Sequence, residues 1–102
     1  MTKDPQITAT VKEILDLIKG ISPGKSVELR VPPYGAIQCV AGSNHRRGTP
    51  PNTVEMSGQA LVRLMTKPEL WSALCKSGEV RASGLLSDLS NLFAQAAVKY
   101  RA

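Results

Sequence analysis

The chain has 102 residues, with 13 Lys and Arg against 8 Asp and Glu, a formal charge of +5. That length suits one domain, residues 1–102, able to bury about two thirds of its unfolded surface in one core. The four aromatic residues (one Phe, one Trp, two Tyr) leave little stacking surface for bases. The positive charge is spread along the chain rather than gathered on a recognition helix, so nucleic-acid binding is not expected. No apolar run approaches a membrane span and no leader precedes the first amphipathic segment, so the expected location is the cytoplasm.

Asp4-Pro5 starts a helix, the carboxylate capping free amides and the proline filling a first-turn position. Ile7, Val11, Ile14, Leu15, Ile18 and Ile21 mark its buried face, and Gly20 with Ser22-Pro23-Gly24 ends it. Residues 26–31 alternate Val27, Leu29 and Val31 against Glu28 and Arg30, as a sheet with one wet face requires. Pro32-Pro33-Tyr34-Gly35 turns the chain, and residues 36–41 return as the second strand of an antiparallel hairpin.

Residues 42–52 form the most polar, least regular segment. His45, Arg46, Arg47 and Asn52 are its candidate contacts for a phosphate or carboxylate, and the same composition suits a plain polar loop. Residues 53–56 read as a short strand. Ser57 caps a helix faced by Ala60, Leu61, Leu64 and Met65. Thr66-Lys67-Pro68-Glu69 has the spacing of a capping box, predicting a second helix lined by Leu70, Trp71, Leu74 and Cys75 and closed by Gly78.

From residue 79 the period changes. Val80 and Ala82 alternate with Glu79, Arg81 and Ser83 as in a strand. After Gly84, Leu85, Leu89, Leu92, Phe93, Ala96 and Tyr100 recur at helical spacing, predicting a long final helix. Cys39 and Cys75 fit no metal or redox spacing and are expected as reduced thiols in apolar surroundings. No nucleophile–base–orienter set is apparent, so the chain is not expected to be an enzyme and no metal or other cofactor is expected.

The order helix, strand, strand, loop, strand, helix, helix, strand, helix resembles the sterol carrier protein (SCP) family. The resemblance is carried by T-V-E-M-S-G-Q-A-L-V-R-L-M, K-P-E-L-W-S-A-L-C-K-S-G and E-V-R-A-S-G-L-L-S-D-L-S-N-L-F. V-P-P-Y-G-A-I-Q-C-V-A-G and H-R-R-G-T-P-P-N-T-V-E are similar to short stand-alone bacterial members. The resemblance implies an α+β fold, a small, mostly antiparallel sheet covered on one face by about four helices. It also implies a cavity for a hydrophobic ligand. Carried to this chain, the lining would be Leu61, Leu64, Met65, Leu70, Trp71, Leu74, Leu85, Leu89 and Phe93. Residues 42–52 stand where most family members have a further strand, so a fatty-acyl or other small lipid-like ligand is expected rather than a sterol. Transient membrane contact and a homodimer are compatible partner states. An accessory module with a filled core is the other reading that the resemblance leaves open.

Overall fold

A computed structural model describes residues 3–42 and 52–102. Helix α1 (Pro5–Ile21) begins where expected, with the Asp4 carboxylate accepting from the Gln6 amide. Its buried residues Val11, Ile14, Leu15 and Ile18 recur every three or four positions, as one packed face demands. Strands β1 (Val27–Val31) and β2 (Gly35–Cys39) form the antiparallel hairpin. The Tyr34 amide closes the turn onto the Val31 carbonyl at 2.8 Å, and the Pro32–Pro33 peptide is cis.

Strand β2 stops short of the expected residue 41. Val40 takes φ 68°, a left-handed conformation that a β-branched residue adopts at a cost of about 1–2 kcal/mol. Backbone hydrogen bonds on both sides hold it there, Val40 donating to the Ser22 carbonyl at 2.8 Å and accepting from the Ser26 amide at 3.1 Å.

Strand β3 (Asn52–Met56) pairs parallel with β1, and β4 (Val80–Ser83) pairs antiparallel with β3, giving the order β2-β1-β3-β4. The register Leu29↔Ile37, Leu29↔Val54 and Met56↔Val80 puts the apolar residues on one face. Arg30↔Glu55 and Glu55↔Arg81 fall on the other. Helices α1, α2 (Gly58–Thr66), α3 (Trp71–Ser77) and α4 (Ser90–Arg101) belong with the apolar face, so the architecture is α+β with a mixed, mostly antiparallel sheet.

Two further boundaries, both of helices, differ from the sequence pattern. Thr66 is the last residue of α2, and a 3-10 turn (Pro68–Leu70) without a side-chain cap leads into α3, so the Thr66–Glu69 capping box does not form. Proline's missing amide and fixed φ interrupt the α-helical ladder at that point. The final helix starts at Ser90 rather than just after Gly84. Gly84 (φ +108°), the Ser87 hydroxyl donating to the Gly84 carbonyl, and the Asp88 carboxylate accepting from the Ser90 amide make a turn of the six residues before it.

Tyr34 is a structural residue. Its hydroxyl accepts from the Asp4 amide at 2.8 Å, tying the start of α1 to the hairpin, and its ring leaves no room for a side chain at Gly58. Tyr34→Phe is expected to cost about 1 kcal/mol in urea unfolding, the worth of one partly buried hydrogen bond.

Candidate functional site

Seven of the nine residues expected to line a cavity come together. Leu61, Leu64, Met65, Trp71, Leu74, Leu89 and Phe93 lie in one buried cluster with the inner face of the sheet. Leu70 packs against its edge. Helices α2, α3 and α4, with the 3-10 turn carrying Leu70 and the turn carrying Leu89, deliver these side chains, and the sheet offers Leu29, Val54, Met56 and Val80 to the same cluster. The rings of Trp71 and Phe93 lie 5.3 Å apart and tilted by 52°, a favourable aromatic geometry. Phe93, Leu61 and Leu64 are fully buried and Trp71 is 7% exposed, so Trp71 stands at the rim of the cluster.

Leu85 departs from the set. It lies in the turn before α4 and is 100% exposed, and its neighbour Leu86 is 43% exposed. Its helical spacing from Leu89 has no structural counterpart, because the turn built by Gly84, Ser87 and Asp88 intervenes.

Three depressions are lined by described residues, and all open to solvent. One of about 400 Å³ lies along β4 with Thr53, Arg81 and Cys75 on its walls. A second, about 360 Å³, runs past Trp71 between Pro68, Cys75 and Asp88. The third, about 410 Å³, follows the end of α2 into the 3-10 turn, lined by Val62, Arg63, Thr66, Lys67 and Leu70. Of these five only Leu70 was expected as a contact. The signal for the others was in the sequence, since Val62/Thr66 and Arg63/Lys67 are i, i+4 pairs that form two adjacent rows on one helix flank.

The polar candidates divide. His45, Arg46 and Arg47 lie outside the described residues. Asn52 is buried, and its amide is already engaged. Nδ2 donates to the Ser26 carbonyl at 2.8 Å and Oδ1 accepts from the Leu86 amide at 3.0 Å. It is therefore a brace between β1, β3 and the turn before α4. On the outer sheet face Arg30 pairs with Glu28 at 2.6 Å and Arg81 with Glu55. Each arginine there has its own carboxylate, which leaves little field for an added anion.

Both cysteines are free thiols. Burial pushes the Cys39 thiol up to about 11, and burial followed by the Asp88 charge pushes Cys75 up as well. For Cys39 the folded value exceeds the ordinary 9.0. Its preference for the protonated form therefore supports folding fully below about pH 9 and is lost as pH rises through about 11. Iodoacetamide at pH 8 is expected to modify the partly exposed Cys75 first and Cys39 only on unfolding, which peptide mass mapping would read. Asp88 is held below the usual carboxylate range, first by the Ser90 amide it accepts from and then by the Ser90 side chain.

Among the described residues no helix is long and apolar enough to cross a membrane. No curated protein matches the chain. Among solved structures it is similar to a UbiJ-SCP2 ubiquinone synthesis protein, with a TM-score of 0.57 and 20% identity over 100% of this chain and 98% of that one. At that identity the likeness is one of fold. The family model described as bacterial SCP ortholog matches residues 3–94, from the residue before the Asp4 cap into the final helix. That span takes in the sheet and the packed helix faces, and the chain belongs to the bacterial SCP ortholog family.

Proposed function

We propose that this protein is a non-enzymatic carrier or binding protein for a small hydrophobic molecule of fatty-acyl type, held on the Trp71–Phe93 side of the interior. Family membership supports a carrier-type fold. The observation that carries the reading is the convergence of α2, α3, α4 and the inner sheet face on one apolar cluster with a tryptophan at its rim. Binding would draw on desolvation, about 0.8 kcal/mol per buried methylene, less the cost of association. Because the described cluster is occupied by its own side chains, entry requires Trp71 and the α4 side chains beside it to move. The thiols favour the protonated form, which suits packing more than nucleophilic attack.

Trp71 is the one tryptophan, so its emission reports directly on this site. Titration with palmitate should shift that emission saturably, and native mass spectra should show the matching adduct. A second reading, a protein-interaction module with a filled core, is favoured by the packed cluster and by the exposure of Leu85. Unchanged Trp71 emission together with an adduct-free mass would decide for that second reading.

A further inference from the structure

The groove along the end of α2 combines an apolar floor with cationic walls. Its floor is apolar, with Val62 and Leu70 both partly buried and packed against the core. Its walls are cationic, with Arg63 and Lys67 in the lining. Arg101 reaches the same place from α4, its guanidinium Nη1 donating to the Thr66 carbonyl at 3.3 Å and Nε to the Ala97 carbonyl at 3.1 Å. Against these three cations stands one paired carboxylate, Glu79, 3.7 Å from Arg63, with both side chains more than half exposed. Glu69 lines the neighbouring depression instead.

The end of a helix ordinarily repels an anion, because its last carbonyls point outward. Here the Lys67 amide occupies the Arg63 carbonyl at 2.8 Å and Arg101 occupies that of Thr66. The carbonyl field at this end is thus partly neutralised, and the side-chain cations prevail. A volume of about 410 Å³ lies at the small end of ligand sites and suits a short chain rather than a long one.

We infer that this groove is an external seat for a medium-chain aliphatic carboxylate, its chain on Val62 and Leu70 and its head between Arg63 and Lys67. The inference goes beyond the interior site proposed above and stands or falls separately from it. The experiment is a titration of the full chain with decanoate, below its aggregation threshold, followed by amide nuclear magnetic resonance. Saturable shifts are expected across residues 62–70. Arg63→Glu with Lys67→Glu should weaken binding by about tenfold or more, as loss of charge-assisted contacts implies, and decanol should bind more weakly than decanoate. Both positions are exposed and the pairing of Arg63 with Glu79 is loose, so the double variant should keep its melting temperature within a few degrees; Lys67→Gln provides a milder second variant. Shifts centred on Trp71 and Phe93, with affinity unchanged in the double variant, would overturn the groove and leave the interior carrier standing. Groove shifts indifferent to charge reversal, or no shifts at all, would also overturn it. The palmitate titration read by Trp71 emission then decides the interior site on its own.

Discussion

Replacing Phe93 by alanine is expected to lower the unfolding free energy by about 3–5 kcal/mol, measured by urea denaturation. The ring is fully buried at the centre of the cluster, 5.3 Å from the ring of Trp71. Truncation removes its transfer energy, leaves a void that surrounding helices fill only in part, and cancels an aromatic pair. For a domain whose whole stability is of order 5–15 kcal/mol, that loss is a large share of the total. A midpoint shift at constant slope with denaturant would show that the folded state itself was affected. A loss below about 1 kcal/mol would mean that the cluster collapses freely around position 93, contrary to its packing here. The variant also bears on function. It enlarges the interior beside Trp71, so a ligand that enters there should bind the folded variant at least as well, with a larger change in Trp71 emission. Decanoate seated along α2 should not respond, since Val62 and Leu70 lie on the flank of the cluster.

Much of the architecture was legible because periodicity reports burial. The faces of α1 and α2 and the alternation in β1 follow from spacing alone. Spacing is also what misled at Leu85. A leucine four positions before Leu89 satisfies a helical template whether or not the backbone between them is helical. The turn signals lay within that stretch, Gly84 at positive φ and Ser87 and Asp88 each bonding to nearby backbone, and they outweigh the apolar match. The Thr66–Glu69 motif failed because Thr66 is taken up as the last residue of α2, which Pro68 ends by denying that helix's ladder an amide, so Thr66 is not free to act as a cap. The parallel pairing of β1 with β3 could not be read locally, because residues 52–56 carry no mark of the partner they meet across the sheet. Lining residues in the helices were legible as an apolar set, and the α2 flank as two i, i+4 rows, whereas the approach of Arg101 to Thr66 from 35 positions away left no local mark in the sequence.

Asn52→Leu is the second large effect expected, a loss of about 2–4 kcal/mol from a side chain of nearly the same size. The amide joins three parts of the fold that are distant in sequence, donating to the Ser26 carbonyl and accepting from the Leu86 amide while sitting at the start of β3. Leucine fills the space but leaves the buried carbonyl unpaired and the Leu86 amide without its acceptor, at about 1–3 kcal/mol for each buried group left unsatisfied. The cost need not reach the full sum, because Leu86 is partly exposed and water can reach its amide. Asn52→Asp separates the two contributions. A carboxylate still accepts from Leu86 but has no donor for Ser26, and it places negative charge against a carbonyl oxygen in a buried position. Asp should therefore be destabilising at neutral pH and recover partly in mild acid, as the carboxyl protonates and becomes a donor, whereas Leu should show no such pH dependence. Gly84 is part of the same joint, since a Cβ there would collide with Asn52 Oδ1 and the position holds φ +108°. Gly84→Ala should thus displace the brace. In Asn52→Leu, where that oxygen is gone, its further cost should be smaller than in the wild type, and a double-mutant cycle in urea would measure the difference as a coupling between the two positions. Additive losses would mean that Gly84 is needed for its backbone angle alone.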